Sequence, residues 1–175
     1  MFQEIRPLYE ILKATKTSII YPELQEKKDT LIVITDASHI GWGGIVCDQK
    51  NNIIQVKAGR WPKLNGEPDT LYESSVIAEP QAIRKTLEAI QHTHRHVTIV
   101  TDHSPIVSAS RSHQARSYQY FALLEWLEGQ PYSYNILFIP GEINPADKSS
   151  RNPDNLEIEE EEVWSICRYF NAILS

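Results

Sequence analysis

Four acidic residues stand where acids can do chemistry. Two β-branched runs, TLIVITDAS at 30–38 and HVTIVTDHS at 96–104, each end in Thr-Asp, which leaves Asp36 and Asp102 at strand exits. Adjacent strands put such exits on one edge of a sheet, where open sheets collect their chemistry. Glu79 opens a helical pattern, AEPQAIRKTLEAI, and Asp147 follows the loop PGEINP. Four carboxylates brought together without Lys or Arg partners repel one another and some of their pKa values rise, unless divalent cations neutralise them. Hard oxygen ligands favour Mg2+ or Mn2+ over zinc. Two such ions about 4 Å apart can clamp the attacking water and the leaving oxygen of a phosphodiester.

The elements that must position these acids follow from the apolar pattern. The run before Asp36 is continuously apolar, as in a central strand covered on both faces. GWGGIVCDQKNNIIQVKAG predicts two more strands, near 42–47 and 53–58, joined at DQKNN, so that three sequential strands form an antiparallel meander. WPKLNGEPD at 61–69 is a loop, and from Leu71 to about Gln91 the pattern is helical, with Ile83, Leu87 and Ile90 spaced by four and three. Pro80 directly after Glu79 implies that this helix begins or bends at Glu79, with Ser74 or Ser75 capping an earlier turn. One or two helices lie between Asp102 and Tyr132, the clearer being SYQYFALLEWLEG, which Gly129 can cap. SYNILFIPG is a fifth strand and NPADKSSR a short helix. EIEEEEVWSICRYFNAIL places Val163, Ile166, Phe170 and Ile173 on one helical face. The expected class is α/β, a mixed sheet with helices packed against it.

These residues carry a resemblance. Thr35-Asp36-Ala37-Ser38 with Gly41-Trp42-Gly43-Gly44, Glu79 heading its helix, Thr101-Asp102-His103-Ser104-Pro105, and Ile139-Pro140-Gly141 leading through Asn144, Ala146-Asp147 and Ser150-Arg151 resemble the ribonuclease H domain of LTR-type, gypsy-like retroelement reverse transcriptases. The order Asp, Glu, Asp, Asp, with separations of 43, 23 and 45 residues, is similar to that family over roughly residues 31–152. The resemblance implies a five-stranded mixed sheet of order 3-2-1-4-5. It implies two-metal hydrolysis of the RNA strand of RNA/DNA hybrids, leaving 5′-phosphate and 3′-hydroxyl ends. Asp36, Glu79, Asp102 and Asp147 fall on the family's catalytic, metal-holding acids, with two Mg2+ ions as cofactor and Mn2+ as substitute. The phrase PGEINPADKSSR is its most distinctive piece. Many ribonucleases H carry a His in the loop before the fourth acid, where Glu142 stands here, so Glu142 and His113 are the candidates for its place.

Composition fits a soluble globular domain: 175 residues, 41% hydrophobic and 23% charged, with two cysteines, Cys47 and Cys167, that lack metal-ligand spacing. No apolar stretch reaches the roughly 20 residues that a bilayer requires. An intracellular setting is the expectation, cytoplasmic and particle-associated rather than nuclear, with no membrane. The net charge is −6, and residues 155–175 account for −4 of it. Arg60, Lys63, Arg111 and Arg116 are scattered, so no clamp for the hybrid is assigned. A body this weakly basic would rely on an upstream polymerase portion for its grip. The resulting division is a lead-in at 1–30, a ribonuclease H domain at 31–152 and an acidic helical extension at 153–175.

Plainer readings accompany each feature. Glu73, six residues ahead of Glu79, is the alternative helix acid. Asp154 reads as a turn or cap residue, and His92, His94 and His96 as an exposed linker rather than a metal cluster. Trp61, Trp126 and Trp164 read as core or interface anchors, Trp42 as core or as a neighbour of the hybrid backbone, and the glycine cluster as a tight turn or a close backbone approach. Two other functions compete on the same fold. One is a catalytically silent scaffold or tether that binds partners through its acidic C-terminal helix. The other is a proofreading exonuclease, which would carry an Asp-x-Glu that Asp36-Ala37-Ser38 lacks. An integrase-like strand-transfer enzyme leaves PGEINPAD unexplained. Oligomeric state, host and cleavage-site preference stay open.

Overall fold

The computed structural model describes residues 29–63 and 71–174. The lead-in lies outside the described residues except for its last two. β1 (Thr30–Ala37), β2 (Gly41–Cys47) and β3 (Ile53–Arg60) pair antiparallel in sequence, and β4 (His96–Thr101) and β5 (Ser133–Phe138) continue the sheet in parallel from β1. The strand order is β3-β2-β1-β4-β5. With helices on the sheet, this is the ribonuclease H-like α/β fold.

Side-chain alternation along the central strands divides the core in two. Leu31 and Val33 of β1, with Val97 and Ile99 of β4, face α1 (Ser75–Ala89), α2 (Ser104–Ser112) and α3 (Tyr118–Glu128), which supply Ile83, Leu87, Ile106, Tyr120, Leu123 and Leu127. Ile32, Ile34 and Val100 face the other way, toward α4 (Asp147–Arg151) and α5 (Glu160–Leu174). Both faces of β1 are therefore dry, which is why its sequence is apolar without interruption. The side chains of Phe170 and Ile173 lie outside the described residues, but Val163 and Ile166 of the same helix are buried in this second cluster.

One local feature agrees with the pattern and one differs. The helix carrying Glu79 starts ahead of it, as the Ser74 or Ser75 cap predicts: a short 3-10 turn, Leu71–Glu73, leads into α1 at Ser75, and Pro80 sits inside it. A proline at this point removes only the backbone bond to Val76 in the first turn, where a carbonyl can tilt toward water instead of being trapped by a preceding turn. Ser74 holds the N-cap position without a side-chain bond, its carbonyl accepting from Ile77 and Ala78. His96 is not part of an exposed linker. It is the first residue of β4, buried, with its ring nitrogens on Ser133 Oγ at 2.7 Å and Asn135 Oδ1 at 2.9 Å, while His92 and His94 precede the strand, half-buried.

The glycines of β2 set the spacing between layers. A Cβ on Gly43 would run into Ser149 Oγ, the Ala146 carbonyl and the Ser150 nitrogen of the α4 segment, and one on Gly44 would run into Thr86 of α1. A helix on each side thus lies against bare backbone. Trp61 is buried, stacked on Tyr72 at 4.3 Å between centroids, with its indole N–H donating to the Ser38 carbonyl at 2.6 Å.

Because Ile166 is fully buried, Ile166→Ala is expected to cost about 2–4 kcal/mol of stability in urea unfolding. The same truncation at exposed Leu156 should stay within about 0.5 kcal/mol.

Candidate active site

Parallel register from Thr30 opposite His96 to Ile34 opposite Val100 brings the exits of β1 and β4 to one edge. Asp36 stands near the end of β1, and Asp102 directly follows β4. α1 packs across β1 and β2 and contributes Glu79 from its second turn. Each of the three carboxylates offers an oxygen that lies within 4.8 Å of the others. Asp36 is 4% and Glu79 6% exposed, and Asp102 is half-buried. Asp147, the first residue of α4, is not one of these three, but its side chain reaches Asp36 by a hydrogen bond from the edge of the triangle. Its charge acts on Asp36 and Asp102, while its Oδ1 accepts from Arg151 Nε at 3.0 Å, one helical turn on.

Burial dominates the electrostatics. It raises the pKa of Asp36, with the charge of Asp102 adding to it, up to about 8. Burial, then the charges of Asp36 and Asp102, push Glu79 up to about 9. Asp102 is raised as well, by burial first, against the hydrogen bond from Asn144 that favours its charged form. Among the described residues no Lys or Arg pairs with any of these three, and Glu79 Oε2 is buried without a partner. A buried carboxylate oxygen left unsatisfied beside two more carboxylates, all hard donors, fits a divalent cation such as Mg2+ or Mn2+. Asp36, Glu79 and Asp102 would hold it, with Asp147 within reach.

Residues between the acids fix their positions. Asn144, buried, donates through Nδ2 to the Thr35 carbonyl at 2.9 Å and to Asp102 Oδ2 at 3.3 Å, and its Oδ1 accepts from Ala146 N at 3.0 Å. One side chain thereby joins β1, the exit of β4 and the turn that carries Asp147. His103 Nε2 meets Tyr120 Oη at 2.7 Å, which ties the segment after Asp102 to α3. Asn144 was visible in the sequence only as part of a motif. The His103–Tyr120 contact had no signal there, because it joins two elements 17 residues apart.

The remaining candidates fall into place around the cluster. Glu73 is exposed on the 3-10 turn and is not among the three converging acids. Glu142 is exposed on the turn Gly141–Ile143, close enough for its charge to raise the pKa of Asp102. His113 caps the far end of α2 with a left-handed φ of 55°, a helix of nine residues away from Asp102, or about 13 Å of rise. Asp154 forms an exposed ion pair with Arg60 at 2.7 Å. No helix among the described residues is long and apolar enough to cross a membrane.

Two outcomes follow from this geometry. Asp36 and Glu79 keep protons in the folded state that the unfolded chain releases above their ordinary values of 3.8 and 4.5, so their contribution to stability is lost as pH rises toward 8–9. The melting temperature of the metal-free protein should therefore fall from pH 5 to pH 9. Added Mg2+ should restore it most at the alkaline end, with protons released on binding, and Asp36→Asn should flatten the profile. Asn144→Ala is expected to cost about 2–3 kcal/mol in urea unfolding, since it leaves a buried carbonyl and amide unpaired.

No protein-family model matches the chain, and no curated protein matches it. Among solved structures, it is similar to LC11-RNase H1, isolated from compost by a metagenomic approach (19% identity, TM-score 0.49, covering 69% of this chain and 91% of that one). It is also similar to RNase H1 from the halophilic archaeon Halobacterium salinarum NRC-1 (10%, TM-score 0.47, covering 71% and 97%), and to the foamy viral protease-reverse transcriptase (15%, TM-score 0.38, covering 77% and 30%). The fold itself rests on strand order and pairing, and the chemistry on the carboxylates.

Proposed function

We propose that the chain is a metal-dependent endonuclease that hydrolyses the RNA strand of RNA/DNA hybrids, leaving 5′-phosphate and 3′-hydroxyl ends. The observation that carries this reading is the convergence of Asp36, Glu79 and Asp102 within 4.8 Å at the exits of two parallel strands, without a basic partner. A silent scaffold has no need of three repelling acids, two of them buried, and an Asp-x-Glu exonuclease pattern is missing at Asp36.

Asp36, Glu79, Asp102 and Asp147 are the catalytic and metal-holding residues in this reading, with two Mg2+ ions, or Mn2+, as the cofactor. When bound, such ions supply Lewis-acid stabilisation of the phosphodiester and activation of the attacking water. The chain's own part is to hold these acids in place. Asn144 orients Asp102 through its amide and favours its charged form against the burial that raises its pKa, and the backbone N–H of Ala37 does the same for Asp36 Oδ1 at 2.8 Å. Arg151 holds Asp147 at the rim. No side-chain nucleophile is called for. Glu142, exposed on the turn before Asn144, stands at the loop position where many ribonucleases H carry a His.

The resemblance of TDASHIGWGG and PGEINPADKSSR supports a place within an LTR-type retroelement reverse transcriptase. There residues 31–152 would be the nuclease unit, the preceding segment its connection to a polymerase portion, and a cytoplasmic particle its setting. The net charge of −6 favours dependence on that upstream portion for substrate grip.

Cleavage of a labelled RNA/DNA hybrid in Mg2+ or Mn2+ tests the reading, with single-stranded RNA, duplex RNA and duplex DNA as controls. The expected result is hybrid-only cutting that falls by roughly 10²-fold or more in Asp102→Asn. Attachment of the polymerase portion should lower KM. Absence of cutting in both forms would favour the scaffold.

A further inference from the structure

Ser38, His39, Glu73 and Arg151 line an open cleft of about 300 Å³. Each wall belongs to a segment that carries a site acid: Ser38 and His39 follow Asp36, Glu73 precedes α1, and Arg151 closes α4 behind Asp147. The walls are tied together, because Ser38 Oγ donates to the Ser150 carbonyl at 2.7 Å and accepts from Ile40 N at 3.1 Å. Arg151 spends only its Nε on Asp147, and its side chain is 62% exposed. A guanidinium has four further N–H donors on its terminal nitrogens, and none of these makes a hydrogen bond among the described residues. Asp147 first, and the charge of Asp36 more weakly, keep it firmly cationic.

The lining selects its ligand by contradiction. Arg151 attracts an anion, but Glu73 across the cleft repels a free phosphate. A ligand with an anion at one end and a hydroxyl donor at the other satisfies both, and an RNA backbone offers that pair in its phosphate and 2′-hydroxyl. DNA lacks the second group.

We propose that this cleft holds the RNA strand beside the cleaved bond, with Arg151 gripping a backbone phosphate and Glu73 accepting a hydrogen bond from a 2′-hydroxyl. It rests on the hybrid-cleavage reading and adds to it the residues that tell RNA from DNA. Arg151 keeps its Nε on Asp147 while its terminal N–H groups take the phosphate.

The test is equilibrium binding by fluorescence anisotropy, across a salt series, of an RNA/DNA hybrid and the DNA duplex of the same sequence. It uses the full chain carrying Asp102→Asn in Mg2+, so that binding is read without cutting. Adding Arg151→Gln should weaken hybrid binding about tenfold and lower the salt slope by about one, while Arg151→Lys keeps the slope. Glu73→Ala should narrow the preference for hybrid over DNA duplex about tenfold. Lys50→Gln, in the turn between β2 and β3 at the opposite edge, should change neither. An unchanged slope in Arg151→Gln, or an unchanged preference in Glu73→Ala, overturns the proposal while hybrid preference in the parent leaves the hydrolase reading standing. A parent that binds the two duplexes equally overturns both.

Discussion

Repulsion among buried carboxylates is the constraint around which this molecule is arranged. Parallel pairing of β1 with β4 forces Asp36 and Asp102 to one edge, and α1 adds Glu79 from above. Burial in low dielectric makes three charges there untenable, so the cluster either keeps protons or takes a cation. Of the four site acids, Asp147 alone has a guanidinium paired with it among the described residues. The surrounding structure answers this demand with oriented donors and no net charge: the Ala37 N–H on Asp36 and the Asn144 amide on Asp102. These favour ionised oxygens without filling the space that an ion would need.

The layers are held at the distance this arrangement requires. Gly43 and Gly44 let α4 and α1 lie against opposite faces of the β2 backbone, which brings Asp147 and Glu79 within reach of the strand exits. Pro80 follows Glu79 without ending the helix because it sits where a single backbone bond is lost near the first turn. The C-terminal helix closes the sheet on the side away from α1, burying Val163 and Ile166 against Ile32, Ile34 and Val100. The acidic character of its first turn, Glu160 to Glu162, therefore belongs to an element that buries Val163 and Ile166 just beyond it.

Strands were legible where both faces are buried, since TLIVIT and HVTIVT have no other soluble explanation than a central position, and the Thr-Asp exits then put two acids on one edge. The helical spacing of Ile83 and Leu87 located α1, and the Ser74-Ser75 pair marked its start, while Pro80 left open whether the chain begins or bends at Glu79, because a proline inside a pattern also reads as a boundary. His96 looked like a linker residue for a related reason: its partners Ser133 and Asn135 lie on β5, and only the parallel register makes a buried histidine acceptable. The Asp147–Arg151 pair was present in the sequence as an i,i+4 spacing. What could not be read was that this acid stands outside the triangle of the other three, since separation along the chain carries no distance.

The parallel contact between β1 and β4 also sets when the carboxylates meet. Between these strands the chain must complete the meander and α1, so their pairing is of high sequence separation and closes a long loop. Asp36 and Asp102 therefore meet only through that closure, and no local element brings the two charges together ahead of it. A cation that binds the finished cluster and not the open chain would add its binding free energy to the native state, so that metal concentration would enter the stability of the sheet itself.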